Sequence, residues 1–207
     1  MQASNQIHWN QQSPYLPEFG APTTTSGKDE DSAATRKQQC DKDLVVYQAQ
    51  CYCQRVKYQV RGNPTSSKLC HCRGCQVLHG APFEWVSIFH KKDVKFDAAS
   101  LPYLYFYSAD QDVGWQSGDT DTTTSRPDLP LKVSCSHCRT PIADEGRHMW
   151  LAFTTLFGFT CDTGIPPAFQ HSCHLFYGQR CINLDVDDGQ DDDKPKWEGH
   201  KNQSALL

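Results

Sequence analysis

The sequence predicts an all-β domain over about residues 44–184. Short apolar runs, alternating or rich in aromatics, recur along this stretch, and Gly, Pro and Asn-Pro breaks separate them. That is the signature of short strands joined by turns. No long amphipathic helix competes with it.

Leu44-Val45-Val46-Tyr47 opens the ordered region, and Val56-Lys57-Tyr58-Gln59-Val60 alternates as a half-buried strand does. Strands follow at Phe83–Phe89, Val94–Phe96, Tyr103–Tyr107, Leu131–Ser134, Met149–Phe153 and His174–Tyr177, with breaks at Gly62-Asn63-Pro64, Gly80-Ala81-Pro82 and Pro166-Pro167. Residues 108–130 are rich in Thr, Asp, Gly and Ser and have no periodicity, so a long surface loop is expected. Residues 1–43 are polar with few aliphatics and are expected to form a disordered arm. The run Asp191-Asp192-Asp193 near the other end reads as a solvated tail.

The chain has 207 residues and a net charge of −4 with its nine histidines neutral. No global basic field would draw it to nucleic acid or to an anionic membrane. No run approaches the roughly 20 apolar residues that cross a bilayer. The first twenty residues lack the basic and apolar regions of a signal peptide. A cytoplasmic, reducing compartment is therefore expected, with a small molecule as substrate.

In such a compartment the eleven cysteines read as metal ligands before they read as disulfides. Three clusters stand out: Cys51-Tyr52-Cys53, Cys70-His71-Cys72-Arg73-Gly74-Cys75 and Cys135-Ser136-His137-Cys138. Alternate residues of a strand share a side, so Cys-x-Cys can offer two thiolates to one ion, as a Cys-x-x-Cys turn can. The seven ligands divide as four plus three. Cys51, Cys53, Cys135 and Cys138 would close a structural zinc site, and Cys70, Cys72 and Cys75 would leave a second zinc with an open, catalytic position. The alternative keeps both ions structural, with His71 or His137 as the eighth ligand. Cys40, Cys161, Cys173 and Cys181 lack such spacing and are expected as buried or incidental thiols.

A zinc held by three thiolates is a weak Lewis acid with a soft open position, suited to a sulfur ligand and to making or breaking a C–S bond. Proton transfer needs a partner. His71, His79 and His174 are the catalytic candidates, and Glu84 and Trp85 are candidate pocket residues.

The ordered pattern Cys51-x-Cys53, Cys70-His71-Cys72-x-x-Cys75 running into His79-Gly80-Ala81-Pro82-Phe83, and Cys135-x-x-Cys138-x-x-Pro141 resembles the glutathione-dependent formaldehyde-activating enzyme family, which also includes centromere protein V. Pro167 to Trp197, with His174-Leu175-Phe176-Tyr177-Gly178 and Pro195-Lys196-Trp197, is similar to the end of fungal members. The resemblance covers residues 44–199 and leaves 200–207 as a tail. It implies a β-tent fold, two zinc ions divided as above, and carbon–sulfur lyase activity on a glutathione or other thiol adduct, with glutathione as co-substrate. Two alternatives are a divergent member that tailors a small metabolite without glutathione and a non-catalytic zinc-binding interaction module. Family members usually carry Gly directly after the first and last cysteine pairs, where this chain has Gln54 and Arg139. Gln76-Val77 replaces the basic residues common after the middle cluster, and 108–130 reads as an insertion.

Overall fold

Strand alternation puts one set of side chains between two sheets and the other set outside, and this division positions everything that follows. The computed structural model describes residues 9–21, 45–117, 126–160, 162–186 and 190–207. Among them, β1 (Val46–Gln50), β2 (Lys57–Arg61) and β5 (Val94–Phe96) form an antiparallel sheet in the order β1-β2-β5. A larger sheet contains β3 (Ser66–Cys70), β4 (Glu84–His90), β6 (Leu104–Ser108), β7 (Val113–Gln116), β8 (Leu131–Cys135), β9 (Pro141–Glu145), β10 (Met149–Phe153) and β11 (His174–Leu175). Its order is β11-β3-β4-β10-β9-β8-β6-β7, antiparallel except for the β11–β3 pair. A ribbon of β12 (Asp185–Val186) and β13 (Gln190–Asp191) and one helix, α1 (Arg73–His79), complete the regular structure. The protein is all-β, as the strand pattern implies, and no helix among the described residues is long and apolar enough to cross a membrane.

The core lies between the sheets. Tyr58 stacks on Phe96 at 5.1 Å, and Trp150 meets Phe96 edge-on at 5.6 Å, geometries favoured by the ring quadrupole. Leu104 and Phe106 of β6, Leu131 and Val133 of β8 and Ile142 of β9 fill the space beside them.

Several expectations need correction. The arm over 1–43 is not uniformly loose: Tyr15 is 1% exposed, packs 5.4 Å from Phe96 and donates its hydroxyl to Glu145 Oε2 at 2.5 Å. Trp9 packs on Tyr15 at 4.9 Å. Glu145 is buried and also meets the Lys91 ammonium at 2.5 Å and the Arg126 guanidinium, the partners that a buried carboxylate requires. The aromatics of this segment offset its polar composition, and one face of the core is left for them to cover. Residues 1–8 and 22–44, with Cys40, lie outside the described residues, as does Cys161.

The expected loop over 108–130 contains the edge strand β7, whose Trp115 stacks on Phe106 at 5.7 Å. Residues 118–125 are outside the described set. The tail over 200–207 turns back on the domain, with Trp197 bridged to Leu206 and Leu207 N–H bonded to the Lys196 carbonyl. Asp192 is 9% exposed rather than solvated. Cys173 is buried and Cys181 exposed.

Candidate active site

Each thiol cluster is assembled by chain geometry at a strand end. Cys51 follows β1, and a turn closed by Gln54 N–H to the Cys51 carbonyl brings Cys53 beside it. Cys135 ends β8, and a matching turn closed by Arg139 N–H to the Cys135 carbonyl presents Cys138. Tyr52 N–H donates to Thr140 Oγ1 at 3.2 Å and ties the two turns together. The sulfurs of Cys51 and Cys53 are 3.5 Å apart, and those of Cys53 and Cys135 are 3.8 Å apart. All four lie within 4.8 Å of one another. A tetrahedral zinc with Zn–S of about 2.3 Å spaces its sulfurs at about 3.8 Å, so this set fits such an ion. Burial pushes the Cys135 thiol up to about 12. Burial acts the same way on Cys138, but hydrogen bonds from Thr140 and Cys53 outweigh it and bring this thiol down to about 5.

The second cluster grows from the end of β3. Cys70 is its last residue, Cys72 caps α1 by accepting the Cys75 N–H at 3.3 Å, and α1 carries Cys75 back toward Cys70. Gly80, at φ 58°, ends the helix in the left-handed conformation that glycine adopts without strain. The Cys70 and Cys75 sulfurs are 3.7 Å apart, and the three thiols lie within 4.8 Å of one another. Their spacing also fits a thiolate-bound ion, with three protein donors rather than four.

Strand register shows what this second cluster faces. Residues directly opposite across a sheet share a face. Cys70 pairs with Glu84, Val86 with Phe153, Leu151 with Asp144, Asp144 with Lys132, and Lys132 with Tyr107. One face of the large sheet, opposite the core, thus runs from the thiols to Tyr107. Helix α1 borders it and adds Leu78 and His79. A cavity of about 330 Å³ lies on this face, walled by Leu78, Tyr105, Tyr107 and Phe153, with His79, Asp144, Lys132 and Arg139 supplying its polar lining. Glu84 connects the cavity to the thiols: the Cys75 thiol donates to Glu84 Oε2 at 2.9 Å, and Glu84 Oε1 lies 3.6 Å from His79 Nε2.

Both ring nitrogens of His79, Glu84 Oε1 and Asp144 Oδ1 are buried without a hydrogen-bond partner, and His79, Glu84 and Asp144 offer ligand atoms within 4.8 Å of one another. Buried polar atoms are nearly always paired. Three side chains that each bring such an atom to one place beside a cavity therefore mark a place for a polar ligand. Burial, then the neighbouring Asp144 carboxylate, pushes the Glu84 carboxyl up to about 7. Burial also lowers His79. Lys132 is ion-paired with Asp144.

The three candidate histidines separate. His79 enters the cavity. His71 and His174 are fully buried and bonded to each other, Nε2 to Nδ1 at 2.9 Å, outside the cavity lining. His71 is grouped with neither thiol cluster, and His137 is exposed. Trp85 turns to the core side, donating to the Phe169 carbonyl at 3.2 Å. Asp144 and Lys132 were not legible as site residues, because a polar residue at an alternate strand position reads as solvent-facing. None of the described insertion residues lines the cavity.

The family model of the glutathione-dependent formaldehyde-activating enzyme matches residues 46–179. No curated protein matches the sequence.

Proposed function

This chain belongs to the glutathione-dependent formaldehyde-activating enzyme family, and we propose that it is a zinc-dependent carbon–sulfur lyase acting on the adduct of a thiol, glutathione first, with a small electrophile. The observation that carries this reading is the set of unpartnered buried polar atoms on His79, Glu84 and Asp144, beside a three-thiol cluster and a cavity. In this proposal Cys51, Cys53, Cys135 and Cys138 hold a structural zinc and Cys70, Cys72 and Cys75 a catalytic one. When bound there, the catalytic zinc supplies a positive centre with an open position for soft sulfur.

The protein groups do the rest. Glu84, as carboxylate, takes the hydroxyl proton of the adduct while the C–S bond breaks. The electrons of that O–H bond become the new carbonyl, those of the C–S bond leave on the thiolate, and Glu84 returns the proton to the sulfur. Burial and the Asp144 carboxylate push the Glu84 carboxyl up, the direction that suits a group passing a proton both ways. His79 and Asp144 orient the hydroxyl. Lys132 and Arg139 offer cations to a carboxylate of the substrate, and Tyr105, Tyr107 and Phe153 exclude water from the cavity. His71 and His174 take no part in the proton transfer.

The test is turnover of a thiol adduct against glutathione concentration, with metal content measured in parallel. Glu84→Gln is expected to lose roughly 10²- to 10⁴-fold in kcat while retaining its metal. A Glu84→Gln enzyme with full turnover sinks the assignment. Arg139 lies in the cavity lining where relatives usually have glycine, which favours a second reading: tailoring of an anionic metabolite without glutathione. Activity independent of glutathione selects that second reading.

A further inference from the structure

Among the described side chains of the acidic run near the C-terminal end, Asp192 is buried against the domain. Asp192 Oδ2 lies 2.5 Å from His171 Nε2 and 3.5 Å from His174 Nε2, and all three ligand atoms fall within 4.8 Å of one another. From this cluster we infer that His171, His174 and Asp192 form a third metal site, separate from both thiol clusters, for a divalent first-row ion of the zinc type.

Proton accounting carries the inference. One proton lies between His71 Nε2 and His174 Nδ1, 2.9 Å apart. If His174 donates it, the His174 Nε2 lone pair points at a carboxylate oxygen, and two acceptors face each other with nothing between them. If His71 donates it, the His174 Nε2 N–H faces Asp192 across 3.5 Å, and the buried His71 Nδ1, a donor in the first case and an acceptor in this one, has no partner in either. The 3.5 Å span from His174 to Asp192 is also too long for a good hydrogen bond. In either case His174 Nε2, on a side chain 0% exposed, has no hydrogen-bond partner. In the first arrangement a cation between the two imidazoles and the carboxylate separates the facing acceptors and takes up the His174 Nε2 lone pair. His174 then donates its other ring N–H to His71, as metal-bound histidines do to an orienting acceptor.

The carboxylate is prepared as well. Lys194 N–H donates to Asp192 Oδ1 at 2.7 Å and leaves Oδ2 for the imidazoles. Lys194 directs its ammonium to Asp193, and Lys196 directs its own to the Asp192 backbone carbonyl. Donors about 2.1 Å from an ion stand about 3.0 to 3.4 Å apart; the 3.5 Å from His174 to Asp192 is close to that spacing, and the 2.5 Å hydrogen bond from His171 to Asp192 opens by about 0.5 Å or more when an ion enters. The His171 side chain is 24% exposed, which gives an ion a way in. Two imidazoles and one carboxylate suit zinc or ferrous iron. By contrast, in the group of His79, Glu84 and Asp144 the Asp144 carboxylate already pairs with the Lys132 ammonium, and His79 and Asp144 line the cavity.

The position gives the site its consequence. Asp192 lies beyond the matched family span, whereas His171 and His174 lie inside it. His174 pairs with Leu69, the residue before Cys70, and His71 stands between Cys70 and Cys72. An ion here fastens the C-terminal segment to the back of the three-thiol loop, reinforcing the backbone bonds of His174 to Pro195 and Trp197.

The experiment strips the full chain of metal, reloads it with zinc or with cobalt(II), and dialyses it. Wild type is expected to hold about one more ion per chain than the thiolate-to-cobalt charge-transfer band accounts for. His171→Ala and Asp192→Asn are each expected to lose that extra ion and keep the band. Wild-type metal fully accounted for by the thiolate band overturns the site without reference to any variant. So does unchanged metal content in both variants. Neither outcome bears on the lyase reading, which the charge-transfer band and turnover report separately.

Discussion

Gln54 and Arg139 each follow the last cysteine of a pair, and both have positive φ, 61° and 63°. The left-handed region costs a non-glycine residue about 1–2 kcal/mol, and glycine gives back about 0.5–1 kcal/mol through its freer unfolded chain. Gln54→Gly is therefore expected to stabilise the metal-loaded protein by roughly 0.5–1 kcal/mol, read as a higher denaturant midpoint. A lower midpoint would mean that the Gln54 side chain makes compensating contacts. Arg139 is different because its guanidinium lies 5.6 Å from the Tyr105 ring and lines the cavity. The same departure from glycine is local strain at position 54 and a new cavity cation at position 139. The sequence marks both positions equally. Only the fold shows that one of them reaches the cavity.

At the scale of elements, β7 shows how an insertion acts on a site that it does not line. Gly114 pairs with Tyr107, and a Cβ there would come within 1.8 Å of Tyr105 Oη and 2.6 Å of Cζ. The edge strand thus holds the Tyr105 ring in the cavity wall, and only glycine leaves room for it. Gly114→Ala is expected to displace that ring and raise KM roughly three- to tenfold with metal content unchanged. An unchanged KM would disconnect the insertion from the cavity. The strands with apolar alternation were legible in the sequence, but β3, β9 and α1 were not. Ser66-Ser67-Lys68-Leu69-Cys70 has too little apolar character to announce a strand, yet Ser67 and Ser87 satisfy each other across β3 and β4 at 2.9 Å. Pro141 opens β9 and Asp144-Glu145 closes it, the composition of a turn. Helix α1 spans seven residues, too few for a helical period to show.

For the whole molecule, the described N-terminal residues 9–21 bring Tyr15 and Trp9 to the core. Tyr15 contacts Phe96, Phe106 and Trp150 and anchors Glu145. Tyr15→Ala is expected to cost about 3–5 kcal/mol, measured by denaturant or thermal unfolding of the full chain. A loss under about 1 kcal/mol would return the segment to the status of a loose arm. What the sequence alone determined is all-β character, three thiol clusters each within reach of a few residues and, by elimination, their division as four plus three. Spacing along the chain controls which neighbours can share an ion, so short-range ligand sets survive without a fold. Tertiary structure alone decided which polar residues meet across the sheet. Register carries the face from Cys70 through Glu84 and Asp144 to Lys132, although these positions are scattered over more than sixty residues. The parallel pairing of β11 with β3 and the return of the chain to Asp192 likewise bring His71, His174, His171 and a carboxylate together. A charge in a polar run costs nothing in water, so composition reads it as solvated. Only burial against two imidazoles makes it a ligand.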